Sequence, residues 1–206
     1  MLHEELLSII DDRQHAHCLW SEITELYSSE GRHYHNLQHL DFLYNELSTL
    51  KTELKDWPAI CLAICYHDII YHPGAADNED KSAELAEERL SPTNIKESSV
   101  SRCKQHILAT KLHANHTDPD TNLFTDADLA ILGQNDEVYD EYAVNIRREY
   151  SHVPDALYGM GRGGVLQRFL RMERIFKTEA FFTKYEVQAR KNIRRELQHL
   201  TAPVRQ

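Results

Sequence analysis

The most apolar stretch of the chain, Trp57 to Ile70, places the strongest constraint on its fold. Its longest uninterrupted apolar run, residues 59–66, is far too short to cross a bilayer, so it has to be buried in a protein core. Pro58 suits the first turn of a helix, where a backbone N–H has no intrahelical partner. We therefore predict a central, buried helix over Trp57–Ile70, against which other elements must pack.

Helical spacing of apolar residues continues on both sides of this segment, and strand-like alternation is nearly absent. Glycine (7) and proline (6) are scarce among the 206 residues, which favours long helices over many turns. These features predict an all-α fold, a helical bundle in a single domain over residues 1–206. The C-terminal helices, at about 165–199, are expected to pack on the core.

Apolar faces and capping residues give approximate bounds for the individual helices. The predicted helices cover residues 6–27 (as one helix or two), 40–50, 57–70, 77–90, 95–108, 126–132, 135–150, 165–177 and 179–199. Two long loops are predicted, one over residues 113–125 and one over the glycine-rich residues 151–164, which hold four of the seven glycines.

Charge and cysteine usage narrow the class of protein. The net charge of −10 does not favour nucleic-acid binding by the whole molecule. Residues 147–206 are basic, with 13 Lys and Arg against 6 Asp and Glu, and could face an anionic substrate or simply form a solvated helical surface. None of the four cysteines forms a CxxC pair, and the N-terminus lacks a signal-peptide pattern. We expect a cytoplasmic protein with no membrane segment.

The segment from Tyr34 to His39 is the first of three that place histidine or aspartate in an unusual setting. If Asn36 caps the following helix, His39 lies in the first turn of that helix. His35 then precedes the helix and can approach the same point from another direction. Imidazole suits a divalent metal ion or a proton donor that works near neutral pH.

The second and third segments supply carboxylates. Asp68 follows His67 at the end of the apolar segment, where a carboxylate is costly to bury unless a cation is paired with it. A metal ion held by both side chains would account for the pair. Asp126 and Asp128 stand at the start of a predicted short helix, where the alternative role is an N-cap or a first-turn acid favoured by the helix dipole.

This ordered series of His, His-Asp and Asp resembles the metal-binding signature of the HD superfamily. The stretches that carry the resemblance are RHYHNLQHL (32–40), YHDIIYHPG (66–74), HILATKLH (106–113), DADLAILG (126–133) and EVQARKNIRREL (186–197). Over nearly its whole length the chain looks like small bacterial proteins described as predicted metal-dependent HD-superfamily phosphohydrolases. The resemblance implies an HD-domain-like bundle in which His39, His67, Asp68 and Asp128 hold a divalent metal ion.

The chain is also distantly similar to cyclic-nucleotide phosphodiesterases. Their YHNxxH motif matches residues 34–39, and their HDxxHPG-like turn is similar to residues 67–74. This likeness implies that His35 is a proton donor and that His39 is a metal ligand. One extra residue separates His-Asp from His-Pro-Gly here, and Lys111 stands where the phosphodiesterases carry an acidic residue. Cyclic nucleotides are therefore not implied as substrates.

The expected function is hydrolysis of a phosphomonoester or phosphodiester of a small nucleotide-like metabolite by metal-activated water. The leaving oxygen would take a proton from His35 or His106. Phosphate charge and substrate would be held by Lys111, Arg162, Arg190 and Asn192. The metal could be Mn, Co, Fe, Ni, Mg or Zn, since the same ligands accept each of them.

Three other functions stay open at this stage. His106, together with His72, His113 or His116, could complete a second metal site, as in HD-fold oxygenases that hold two irons. The pocket could instead sense a nucleotide without catalysis. The basic C-terminal part could bind RNA, although it lacks interleaved aromatic residues. Long amphipathic helices would also suit a homodimer.

Overall fold

The computed structural model describes residues 1–201, and every regular element in that range is helical. The helices are α1 (Leu2–Ile9), α2 (Arg13–Tyr27), α3 (Leu37–Ser48), α4 (Trp57–Tyr66), α5 (Asn78–Leu90), α6 (Glu97–Ala109), α7 (Pro119–Leu129), α8 (Asp136–Glu149), α9 (Asp155–Arg171) and α10 (Glu179–Thr201), with a 3₁₀ turn at Ala130–Gly133. The all-α prediction is confirmed. None of the described helices combines the length and the apolar character needed to span a bilayer.

The chain forms two compact units, Met1–Thr125 and Asp126–Gln206, and α7 crosses the boundary between them. The first unit is built on α4, which contacts α1, α3, α5 and α6. Nine of the ten residues of α4 are buried, as its apolar sequence predicts. The single-domain prediction stays a prediction.

The helix α4 ends earlier than predicted, at Tyr66 rather than at Ile70. The backbone N–H of His67 still donates to Ala63 within the helix, but the chain then turns away. The carbonyl oxygens of Asp68 and Ile69 accept hydrogen bonds from the Arg32 side chain instead of from later turns of the helix. A partner distant in sequence therefore stops the helix where the apolar pattern would continue it.

The loop predicted over residues 113–125 is wrong in its second half, because α7 begins at Pro119. Proline is favoured at the first helical position, and the Asp118 carboxylate accepts from the backbone N–H of Asp120. Asp120 itself is fully buried. Its carboxylate accepts hydrogen bonds from the N–H groups of Lys55 and Asp56, at 2.9 and 3.0 Å, and from Arg102 at 2.8 Å. These bonds connect α7 to the loop that leads into α4.

In the second unit, the loop predicted over residues 151–164 is wrong from residue 155 onward, because α9 runs from Asp155 to Arg171. A Cβ added at Gly161 or Gly164 would meet nothing within 4 Å, so the packing within this chain does not require glycine there. Glycine inside a helix costs about 0.5–1 kcal/mol relative to alanine. Packing of α9 on α10 offsets this cost and overrides the local preference.

Other differences in the second unit follow from two buried carboxylates. The helix predicted over 165–177 ends at Arg171, and residues 172–178 form a loop in front of α10. Asp126 accepts from the backbone N–H groups of Lys177 and Thr178, and Glu186 accepts from that of Ile175. Asp126 therefore lies inside α7 and holds this loop, rather than capping a new helix.

We expect Asp120→Ala to lower the free energy of unfolding by about 3–5 kcal/mol, because it leaves buried N–H groups and Arg102 without their acceptor. Urea denaturation followed by circular dichroism measures the loss. Asp118→Ala is the matched control, since Asp118 binds the same arginine from a more exposed position and should lose about 1 kcal/mol. Equal losses in the two variants would contradict the assignment.

Candidate metal centre

Two helix ends of the first unit carry the histidines of the site. Asn36 caps α3 through its side chain, which accepts from the N–H of Gln38 at 2.9 Å. His39 therefore lies in the first turn of α3, as predicted, and is buried. His67 lies at the C-terminal end of α4 and is also buried, and Asp68 follows it directly.

The three side chains converge on one point. The Nε2 atoms of His39 and His67 are 3.0 Å apart. The Oδ2 atom of Asp68 lies 3.0 Å from Nε2 of His67 and 3.7 Å from Nε2 of His39. With a carboxylate oxygen of Asp128, these ligand atoms form a group whose members all lie within 4.8 Å of one another. The four side chains could thus hold one metal ion.

Hydrogen bonding around His67 explains why a cation fits at this point. The Nδ1 atom of His67 lies 3.1 Å from the carbonyl oxygen of Ile64, which can only accept, so Nδ1 carries the proton. In the neutral ring, Nε2 then presents a lone pair. The carboxylate oxygen of Asp68, 3.0 Å away, also presents lone pairs. Two acceptors this close repel each other unless a proton or a metal ion lies between them.

The distances agree with ligation of a single ion. Two donor atoms that bind one metal at about 2.1 Å and at right angles stand about 3.0 Å apart. The separation of the two Nε2 atoms and that of Asp68 from His67 have this value. Two imidazoles with carboxylates form a donor set that suits divalent transition metals. The side chain of Asp68 is 18% exposed, so water and a small ligand can reach it.

Asp128 lies in the last turn of α7, the helix that begins at Pro119 in the first unit. Within the second unit it is close enough to Tyr142 to influence that phenol. Burial is the main cause that raises the pKa of Tyr142, and the negative charge of Asp128 adds to the effect.

His35 lies at the rim of the site, before the start of α3, as predicted. Its Nε2 atom is 4.0 Å from Oδ2 of Asp68, and its side chain is 18% exposed. Its ring packs on that of Tyr71, with 4.1 Å between the ring centroids. A group bound at Asp68 would therefore be within reach of the His35 imidazole.

Sequence reasoning did not single out Arg32, although it begins one of the stretches that carry the resemblance. Its Nη1 atom donates to the carbonyl oxygens of His35, at 2.9 Å, and Asp68, at 2.8 Å. Its Nη2 atom donates to the carbonyl oxygen of Ile69 at 2.7 Å. Backbone acceptors leave no side-chain pattern, so the sequence carried no signal for these bonds.

His106 lies outside the metal-ligand group. It is fully buried, and its Nδ1 atom is 2.9 Å from the hydroxyl of Thr121. The Phe124 ring packs against both His106 and His67, with centroid distances of 5.9 and 5.8 Å. Burial lowers the pKa of His106 to about 4, so the ring is neutral at pH 7. Its predicted catalytic role stays a prediction.

The predicted second metal site has no matching geometry within residues 1–201, where a single group of three or more candidate ligands was found. His116 uses Nδ1 to accept from the backbone N–H of Asp118, which stabilises the loop before α7. The backbone N–H of His72 donates to Asn78 at the start of α5.

The predicted phosphate-binding cations Lys111 and Arg162 both form ion pairs. Nζ of Lys111 lies 2.7 Å from a carboxylate oxygen of Asp80 on the surface of the first unit. Arg162 is mostly buried in the second unit, where it donates to both carboxylate oxygens of Glu196 and to the hydroxyl of Tyr142. Binding of a phosphate by either residue would compete with these contacts, and the predicted roles stay predictions.

Arg190 and Asn192 stabilise loops of the second unit. Arg190 pairs with Glu186 at 2.6 Å and also donates to backbone carbonyl oxygens of the loop before α10. Asn192 is buried, and its amide donates to the carbonyl oxygens of Leu132 and Gln134. These contacts give both residues a structural role, and their predicted part in substrate binding stays a prediction.

No protein-family model matches the chain, and neither a curated protein nor a solved structure matches it. The resemblance to the HD superfamily therefore stays a prediction. What is known of the site comes from the convergence of its own side chains.

The low pKa of His106 predicts that stability depends on pH. Because the pKa in the folded protein, about 4, lies below the ordinary value of 6.5, protons bind preferentially to the unfolded chain. The stabilisation is fully present above pH 6.5 and is lost as the pH falls through 4, amounting to about 3 kcal/mol. Urea denaturation between pH 4 and 7 should show a shallower pH dependence for His106→Asn than for the wild type.

The control for this experiment is His17→Asn, which alters an exposed histidine of the same unit. This variant should retain the wild-type slope. An unchanged slope in His106→Asn would show that other groups cause the pH dependence.

Proposed function

We propose that this chain is a metal-dependent phosphohydrolase. Its substrate would be a phosphomonoester or phosphodiester of a small nucleotide-like metabolite. The observation that supports the proposal most directly is the convergence of His39, His67 and Asp68 within 3.0–3.7 Å, with Asp128 in the same group. Membership of the HD superfamily and a cytoplasmic location are parts of the same proposal.

The ligand set suits hydrolysis of a phosphate ester. A divalent metal ion bound there would lower the pKa of a coordinated water and neutralise phosphate oxygens. The Ile64 carbonyl holds His67 in the tautomer that offers Nε2 as a ligand. Four protein ligands leave room in the coordination shell for water and substrate.

His35 is the proposed proton donor for the leaving oxygen. It is close to Asp68 without lying among the three converging atoms, so it can act on a group bound beside the ligands. Its ring is supported by Tyr71, which limits its freedom to rotate. Partial exposure allows it to exchange protons with water between turnovers.

A single group of candidate ligands in the described residues favours a one-metal hydrolase over a di-iron oxygenase. A non-catalytic nucleotide sensor would need the same ligands but not His35. Metal content, phosphate release and the His35 variant separate these three functions.

We expect Asp68→Asn to lower the affinity for a divalent metal by at least about 100-fold, because an amide is a much weaker ligand than a carboxylate. The variant keeps nearly the same shape and preserves the backbone bonds of residue 68 to Tyr27 and Arg32. Elemental analysis and competition with a chromophoric chelator measure the affinity. The matched control is Asp77→Asn, an exposed carboxylate with a lysine partner, which should bind metal normally.

Phosphate release with added Mn or Co is then screened across nucleoside monophosphates, nucleoside triphosphates and nitrophenyl phosphates. One metal per chain with release that Asp68→Asn abolishes would support the proposal. One metal without any release would favour the sensor, and two irons with oxygen consumption would favour the oxygenase. Full metal retention by Asp68→Asn would overturn the ligand assignment.

We expect His35→Gln to bind metal with unchanged stoichiometry but to slow turnover by roughly 10²–10⁴, because the leaving oxygen no longer receives a proton. Steady-state rates at saturating metal measure the effect. His33→Gln, at an exposed position two residues earlier, serves as the control and should retain most of the rate. A wild-type rate in His35→Gln would make His35 a structural residue.

A further inference from the structure

Arg32 connects two segments that carry different parts of the site. It lies in the loop between α2 and α3, which also contains His35. One nitrogen, Nη1, donates to the carbonyl oxygens of both His35 and Asp68. The backbone of the proposed proton donor and that of a metal ligand are thus linked through a single atom.

The contacts of Arg32 use the shape of the guanidinium group more than its charge. Within residues 1–201 it forms no ion pair with a carboxylate, and three backbone carbonyl oxygens accept its hydrogen bonds. Its positive charge lies over the Tyr27 ring, 4.7 Å from the centroid, and 5.6 Å from the centroid of the Tyr71 ring. A lysine has only one nitrogen and could not reach all three carbonyl oxygens.

The same two tyrosines contact the residues that Arg32 links. The hydroxyl of Tyr27 accepts from the backbone N–H of Asp68 at 3.1 Å. The ring of Tyr71 packs on that of His35. Arg32 therefore sits at the centre of an assembly that contacts Asp68 from one side and His35 from the other.

We propose that Arg32 is a positioning residue, which sets the distance between His35 and Asp68 by binding the backbone of both. It stabilises the non-helical turn after α4 that directs the Asp68 carboxylate toward His39 and His67. Its effect on Asp68 requires only a metal at the site, whereas its effect on His35 rests on the proposed function.

The first test measures metal affinity in Arg32→Lys and Arg32→Ala by chelator competition. We expect a 10- to 100-fold loss, as is typical when a residue that orients a metal ligand is removed. Arg89→Ala is the matched control, because Arg89 is also a half-buried arginine of the first unit, but it donates to the side chains of Glu22 and Glu88 and not to the backbone near the site. This control should be less stable to urea yet bind metal normally. Unchanged affinity in both Arg32 variants would overturn the proposal.

The second test separates positioning from folding by chemical rescue. In Arg32→Ala, about 10–50 mM guanidinium should occupy the space between Tyr27 and Tyr71 and restore metal affinity at least several-fold. The same guanidinium concentration should leave the metal affinity of Arg89→Ala and of the wild type unchanged. Loss of affinity that guanidinium does not restore, together with a lower unfolding midpoint, would reduce Arg32 to a stabilising residue and overturn the proposal.

The catalytic part is tested at saturating metal. Arg32→Ala should lower kcat with little change in KM, and in the His35→Gln background it should lower kcat much less, because both changes affect the same proton transfer. Additive losses would overturn the link to His35. If the wild type hydrolyses no probe, the proposed function fails, while the affinity and rescue experiments still decide whether Arg32 positions Asp68.

Discussion

Two acceptor atoms that face each other at 3.0 Å, Nε2 of His67 and Oδ2 of Asp68, are the constraint on which the candidate metal centre depends. Nε2 of His67 and Oδ2 of Asp68 would separate in water, because neither has a hydrogen to give the other when the ring is neutral. The Ile64 carbonyl fixes the ring, and Arg32 fixes the turn that follows it. Two acceptors that repel each other, yet are held close together by other hydrogen bonds, indicate a site for a cation.

The placement of the ligands on helix ends adds to this preference. His67 is at the C-terminal end of α4, where the helix dipole places partial negative charge and favours a cation. The carboxylate of Asp68 adds to this negative charge. The partial exposure of Asp68 and His35 marks the side from which a ligand can approach.

The sequence predicted the parts of the site that depend on local chemistry. The predicted Asn36 cap puts His39 in the first turn of a helix, and the apolar run puts His67 near the end of a buried helix; the structure has both features. Prediction from the sequence is wrong or silent where tertiary contacts determine the local structure. The sequence predicts a loop over the glycine-rich residues 151–164, but packing on α10 makes residues 155–164 helical. The carbonyl oxygens that Arg32 binds belong to residues of any type, so no pattern could reveal them.

The helix α4 has two roles, because it fills the core of the first unit and also carries His67 at its C-terminal end. In many proteins the core can exchange one aliphatic side chain for another with little effect on function. Here a change of volume at Ile60 or Ile64 would also shift the helix end, and so the ligands. Substitutions on the surface helices should therefore be tolerated far more readily than substitutions in α4, where one change of side chain affects both the stability of the core and the geometry of the metal ligands.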